Sequence, residues 1–254
     1  MSAAVSEASE AAGGKRLFVG ARVSVATANA LAAAAETLAR RARDAGADIR
    51  WVAPASYHVT LRFLGWTRGE AIEAVRDALE AAAAGTLAGG AGPVRFKTAR
   101  LGAFPSPDRA SVVWAGVEEP GPAGKGPLAA LAARIEEACT RLGFAAERRA
   151  FHPHVTIGRL REARAVREVV LPLAEQMFGD TRLDAIALFE SETKSSGSVY
   201  RELHRIDLQT ASKAPISASE RQTPPVQQGA RTPEPPDTDD GWPRGQGPNF
   251  DHDA

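Results

Sequence analysis

Apolar and polar positions alternate at period two in several short stretches of this chain and recur at three- and four-residue spacing in others. Strands and helices can both be placed from that pattern. Residues 17–23 read as an opening strand, and an alanine-rich amphipathic helix follows over 27–43, stopped by Gly46. Strands are predicted at 49–52 and 57–64, on either side of a turn at Pro54. A second helix spans 69–84, closed by Gly85 and a Gly/Ala-rich loop through Gly92. Strands at 94–103 and 110–117 are joined by the turn Pro105-Ser106-Pro107-Asp108. A third helix, 128–142, ends at Gly143 and precedes a strand over 154–159. The pattern then predicts a short helix over 162–176, broken near Pro172, and a closing hairpin of strands 182–190 and 198–207.

Helices and strands alternate irregularly, with paired strands between them. That argues for an α+β fold rather than a doubly wound parallel sheet. The predicted domain covers residues 15–208. Residues 209–254 are rich in Pro, Gln, Asp and Gly and poor in aliphatics, so they cannot bury a core and are expected to be disordered. Trp242 and Phe250 in that tail read as isolated exposed aromatics. Residues 1–14, rich in Ala, Ser and Glu, are likewise expected to be disordered; they lack the basic and apolar regions of a signal peptide.

Charge narrows the partners. Lys plus Arg and Asp plus Glu both number 31 among 254 residues, so no whole-molecule field attracts nucleic acid or an acidic membrane. Contact with RNA would have to come from a local basic patch. No stretch is long and apolar enough to span a bilayer. The single cysteine, Cys139, excludes an intrachain disulfide and agrees with a reducing, cytoplasmic setting. Its place in the third helix suits a small buried apolar residue better than a nucleophile.

The chemistry is concentrated in a repeated tetrapeptide. His58-Val59-Thr60-Leu61 returns as His154-Val155-Thr156-Ile157, using two of the five histidines in the chain. On a strand, side chains two apart share a face, so each copy presents an imidazole beside a hydroxyl while its apolar residues pack on the other side. A single such motif would be read as an ordinary half-buried strand. Two copies in similar surroundings, each preceded by an aromatic residue (Tyr57, Phe151), point to one shared active site.

Two imidazoles facing one substrate can serve as general base and general acid at the same pH. Threonine hydroxyls can donate to the non-bridging oxygens of a phosphate, and Arg159 supplies a positive fork suited to the same group. Together these parts describe metal-free phosphodiester hydrolysis. Arg62 nominally shares the face of Thr60 and reads as a solvated arginine at a strand edge. A metal site would need a third ligand; His152 is the nearest candidate and reads better as a residue of the cleft rim. His204 and His252 read as structural or incidental, and the Gly85–Gly92 run matches no phosphate-binding loop.

These residues resemble the 2H phosphoesterase superfamily, and within it the bacterial and archaeal RNA 2′,3′-cyclic phosphodiesterases, historically called 2′-5′ RNA ligases. The resemblance runs from about residue 15 to 208. It rests on Trp51-Val52, the extended motif from His58 to Gly65, Leu101-Gly102-Ala103-Phe104-Pro105, Val113-Trp114-Ala115-Gly116-Val117, the motif from Phe151 to Arg159, and Ser191 with Gly197-Ser198-Val199-Tyr200. Ile157, where leucine is common, and the long tail are mild departures. The resemblance implies a bilobal, duplicated fold with pseudo-two-fold symmetry, two antiparallel-rich sheets facing across a central cleft. It implies His58 as proton donor to the leaving 3′ oxygen, His154 as proton acceptor from water, and Thr60, Thr156 and Arg159 as phosphate-binding residues. RNA ends or cyclic nucleotides would be the substrate, with no metal or other cofactor and a monomeric enzyme. Other cyclic or 2′,5′-linked nucleotides, reversible 2′-5′ RNA ligation, and an RNA-end binding module with vestigial catalysis stand as alternatives.

Overall fold

A computed structural model describes residues 14–88, 93–121, 125–194 and 197–208. The predicted N-terminal and C-terminal disordered segments otherwise fall outside the described residues. Strand β1 (Gly14–Arg22) leads into helix α1 (Val25–Asp44), whose N-terminus is capped by Ser24, its hydroxyl accepting from the Thr27 amide at 3.2 Å. Thr27, Leu31, Ala34, Leu38 and Ala42 form the buried stripe of α1, the spacing that one face of a helix requires. Strands β2 (Ile49–Trp51) and β3 (His58–Arg68) follow, then helix α2 (Ile72–Ala88). Gly85 does not end α2, which continues to Ala88. Instead its bare Cα leaves room for a neighbour: a Cβ there would lie 2.9 Å from the Arg134 guanidinium.

The second half opens with β4 (Arg95–Phe104) and β5 (Ala110–Glu118), then helix α3 (Pro127–Arg141) and β6 (His154–Arg164). Proline at the first turn of α3 suits a position whose amide has no partner within the helix. The Glu119 carboxylate accepts from the Leu128 amide and, at 3.1 Å, from that of Ala129. Helix α4 (Arg167–Val170) is a single turn, followed by β7 (Met177–Arg182), β8 (Ala185–Lys194) and β9 (Gly197–Asp207).

Two sequence expectations change here. The helix expected over 162–176 is absent: β6 carries on to Arg164, and only α4 and a turn of 3-10 helix at Leu171–Leu173 are helical. The Glu/Ala/Arg composition favours a helix, but Ala110 of β5 pairs with Arg164 and holds the segment extended. The strand β7, interrupted in sequence by Gly179-Asp180, is recruited by pairing with β4 at the sheet edge. The closing hairpin is present as β8 and β9.

Among the described residues all the strand pairings are antiparallel, in the order β7-β4-β5-β6-β3-β1-β8-β9, with β2 also on β6. The halves β9-β8-β1-β3 and β6-β5-β4-β7 meet at one residue pair, Val59 opposite Val155. The predicted two sheets are thus joined into one by the two motif strands. Helices α1, α2 and α3 pack on one face, where the main core collects Val19, Leu31, Val59, Leu131, Val155, Ile157 and Leu188. The opposite face holds two separate small clusters: Phe18, Ala187 and Phe189 on one half, and Phe104, Val112 and Trp114 on the other.

Candidate active site

The pairing of Val59 with Val155 fixes where the chemistry sits. Both valines are fully buried toward the helices, so the residues flanking them project from the open face. His58, Thr60, His154 and Thr156 form one four-cornered group there, each half-buried. Antiparallel register places His58 across from Thr156 and Thr60 across from His154, with Cβ atoms of such partners about 5 Å apart. The sequence expectation that the two motifs converge on one face is met.

Each ring is held in the same way. His58 Nδ1 lies 2.7 Å from the Ser56 carbonyl oxygen, and His154 Nδ1 lies 2.9 Å from that of His152. A carbonyl only accepts, so Nδ1 carries the proton and the neutral ring keeps its lone pair on Nε2. Aromatic side chains support both. Phe18 lies 4.9 Å from His58 ring to ring, and Tyr200 meets it edge-on at 5.1 Å. Phe104 meets His154 edge-on at 5.2 Å. Gly20 permits the first of these contacts: a Cβ there would sit 3.3 Å from His58 Cδ2 and 3.2 Å from the Phe18 ring.

This packing strips water from both imidazoles. Burial drives the His58 pKa down to about 4, reinforced by the charges of Arg22, His154 and Arg159. Burial likewise holds His154 at about 4, with Arg159 and His152 adding to it. In the free protein both rings are therefore neutral at pH 7.

Arg159 reaches this face through an irregularity of the strand. Its odd offset from His154 would put it on the helix side of a regular strand. Between β5 and β6, however, Val113 pairs with Gly158 and Trp114 with Thr156, so Ile157 is an extra, bulged residue. Beyond the bulge the alternation flips and Arg159 faces the histidines, whose titration its charge influences. Arg50 of β2 is directly opposite it in register. The first motif carries the same bulge: Val19 pairs with Arg62 and Gly20 with Thr60, leaving Leu61 extra.

That bulge overturns the reading of Arg62. It turns away from Thr60 into the helix face and is buried, with Nε 2.5 Å from Glu136 of α3, Glu147 at 4.0 Å and the Ala145 carbonyl as a further acceptor. Arg62 ties the segment before the second motif to α3. Cys139 is fully buried nearby, its thiol pushed up to about 11, as suits a core residue. His204 pairs with Glu80 of α2 at 2.9 Å, away from the site, and His252 lies outside the described residues. Among the described residues no three His, Cys, Asp or Glu side chains cluster as metal ligands, and no helix is long and apolar enough to cross a membrane.

Arg22 was not singled out from sequence. It pairs with His58 across β1 and β3, its guanidinium lying 5.0 Å from the Phe189 ring centre and 3.6 Å from Glu202. Period-two alternation through Phe18 and Gly20 does place it on the open face, but only the strand pairing reveals that His58 is beside it.

A duplicated antiparallel fold with one imidazole and one hydroxyl from each half at the seam defines a two-histidine phosphoesterase architecture. Comparison with known proteins agrees: the family model described as the 2′-5′ RNA ligase superfamily matches residues 23–195. A protein of Aeropyrum pernix named RNA 2′,3′-cyclic phosphodiesterase is 31% identical over 169 residues, covering 63% of this chain and 87% of its own. One of the same name from Aquifex aeolicus is 32% identical over 155 residues, covering 59% of this chain and 77% of its own. The crystal structure of TT0787 of Thermus thermophilus superposes with a TM-score of 0.59 at 26% identity, covering 76% of this chain and 98% of that one. That of E. coli LigT complexed with 3′-AMP shares the fold, with a TM-score of 0.53 at 23% identity over 76% and 98%. The chain belongs to the 2′-5′ RNA ligase superfamily.

Proposed function

We propose that this protein hydrolyses 2′,3′-cyclic phosphodiester ends of RNA to 2′-phosphomonoesters by acid–base catalysis between His58 and His154, without a metal ion. Relatives bearing the name RNA 2′,3′-cyclic phosphodiesterase support the substrate class. The observation that carries the mechanism is the pairing of Val59 with Val155, which sets the two Nδ1-tethered imidazoles diagonally across one patch of sheet. His154 Nε2 takes a proton from water as its oxygen attacks phosphorus. The P–O3′ bond breaks in line, and His58 delivers its Nε2 proton to the departing 3′ oxygen. Thr60, Thr156 and Arg159 hold the non-bridging oxygens, where charge gathers in the transition state. The test is incubation of the purified protein with a cyclic-phosphate oligonucleotide, with and without EDTA. A 2′-phosphate product formed at equal rates in both arms is expected. Loss of turnover on chelation, restored by zinc or manganese, would replace the acid–base assignment with a metal-bound hydroxide.

A further inference from the structure

Each motif histidine depends on the segment that leads into it, because the carbonyl two residues earlier holds its Nδ1. The two lead-in segments are braced in different ways. Ahead of His58, β2 pairs with β6, setting Trp51 opposite Gly158, and the Val52 amide donates to the Ile157 carbonyl at 3.0 Å. Ahead of His154, residues 142–153 form neither helix nor strand, and 145–150 are all exposed, so apolar burial does not hold them. Polar ties to β3 and α3 do. The Glu147 amide donates to the Glu136 carboxylate at 2.9 Å, Arg62 Nε lies 2.5 Å from the same carboxylate, and the Arg62 guanidinium donates to the Ala145 carbonyl. The two braces stand at one step of the pseudo-two-fold: Arg62 and Gly158 are each the residue after the bulge that follows a motif. Each motif strand therefore holds the lead-in of the other motif. On β6 a bare glycine admits β2, and on β3 a buried arginine gathers residues 145–147.

We propose that Arg62 is a positioning residue for His154: it fixes the lead-in segment so that the His152 carbonyl meets Nδ1 and leaves Nε2 to accept a proton. This rests on the function proposed above, in which His154 takes that proton from water. Stability alone does not call for an arginine here. Taking a guanidinium out of water offsets much of what its ion pair returns, and an apolar side chain of similar volume would pack as well. What the buried charge adds is a single arrangement of its acceptors, and those acceptors are the start of the lead-in segment. Phe151, packed on the main core, and Pro153, whose carbonyl accepts from the Val117 amide at 3.3 Å, set its far end. The His152 carbonyl lies between them and inherits its place from both ends. With the near end released, a displacement of about 1 Å would take that carbonyl out of hydrogen-bond range. The effect belongs to one motif, because the Ser56 carbonyl that holds His58 follows β2, braced from the other half.

Histidine-ring NMR follows the two imidazoles separately, each assigned by its own alanine variant. It is run on wild type, Arg62→Met, Arg62→Lys and Glu136→Gln, well below each melting temperature. The wild type should show an Nδ1–H proton on both rings. Arg62→Met should lose that signal from His154 and let its ring titrate nearer 6.5 than 4, while His58 keeps its own proton and titration. Arg159, His152 and His58 are the titratable groups that face His154, and the substitution replaces none of them. On a 2′,3′-cyclic mononucleotide Arg62→Met should lower kcat by about 10- to 100-fold, the worth of a misplacement of about 1 Å. KM should change little, because Thr60, Thr156 and Arg159 still hold the phosphate. Arg62→Lys, which returns a charge to Glu136, should recover most of the ring signal and of kcat. Glu136→Gln should repeat the His154-selective change more weakly, and it decides the matter should Arg62→Met fail to fold. Rings left unchanged, or both rings altered alike, would overturn the positioning role while leaving the hydrolase reading intact. Should the wild type turn over no cyclic phosphate, the hydrolase reading fails and the ring spectra alone decide the role of Arg62.

Discussion

If His58 must enter the reaction protonated, the substrate itself has to load it. Burial holds both imidazoles at about 4 in the free protein. At pH 7 a group titrating there is protonated in roughly one molecule in a thousand, and charging it costs about 4 kcal/mol. A phosphate anion about 4 Å from the ring, at an effective dielectric of 20, contributes about 4 kcal/mol in the opposite sense. The two nearly cancel, so binding should bring the acid back to a pKa near 7. Steady-state rates on a 2′,3′-cyclic mononucleotide between pH 5 and 8 read this directly. The kcat/KM profile reports the free enzyme, in which the singly protonated pair shrinks about tenfold for each pH unit above 4. It should fall with that slope across the whole range. The kcat profile reports the complex and should hold until near pH 7, so KM rises about tenfold per unit over the same interval. A kcat/KM profile flat to pH 6.5 and breaking together with kcat would refute the reasoning, because it would show that the free-enzyme histidines are not held down.

His58→Ala and His154→Ala should each lower turnover by about 10²-fold or more, and the double variant by far less than the product, since the two act as a unit; near-normal rates in either single variant would make the motif scaffold. Arg159→Ala should raise KM and lower kcat on the cyclic mononucleotide, because its charge meets the anion in ground and transition states alike. Arg62→Met should lower the stability measured by denaturant unfolding, by roughly 1–3 kcal/mol, because Glu136 loses its close partner; unchanged stability with lost turnover would put Arg62 back at the site. Stability should also fall with acid. The folded pKa of each histidine lies below its unfolded value of 6.5, so this contribution is complete above pH 6.5 and is lost as pH falls toward 4. At pH 4.5 the loss should be roughly 2–3 kcal/mol for each ring, and a His58→Asn/His154→Asn variant should show a shallower acid limb in thermal denaturation.

Much of this was readable from period and spacing. The alternation of His58, Val59, Thr60 and Leu61 places the imidazole and hydroxyl on one face without any coordinates, and the stripe at Leu31, Ala34, Leu38 and Ala42 does the same for α1. What the sequence could not show depends on partners distant along the chain. Residues 162–164 have helical composition and are extended because β5 lies beside them. Met177–Arg182, with glycine and aspartate in its middle, becomes a strand because β4 offers an unpaired edge. The contact of Arg22 with the His58 environment follows from the pairing of β1 with β3, which no local pattern encodes.

The arginines make the same point at single-residue resolution. Counting by two from Thr60 brings Arg62 to the site, and counting by two from His154 excludes Arg159. Neither count holds in the structure, which keeps Arg159 on the face where its charge suggested it and buries Arg62, and one cause accounts for both. Each motif is followed by an extra residue, Leu61 or Ile157, at the same step after its histidine. The bulge sends the next residue toward the helices and the one after it toward the histidines. In the first copy those two residues are Arg62 and Phe63; in the second they are Gly158 and Arg159. Glycine is required at 158 because Ile49 and Trp51 of β2 lie over it, so that a Cβ would come within 2.8 Å of Ile49. At 62 the equivalent direction leads to Glu136 and Glu147, which accept an arginine. The backbone repeats across the pseudo-two-fold, bulge included, while the side chains that the bulge exposes differ. A symmetric frame thereby acquires an aromatic end and a cationic end, one beside each motif histidine.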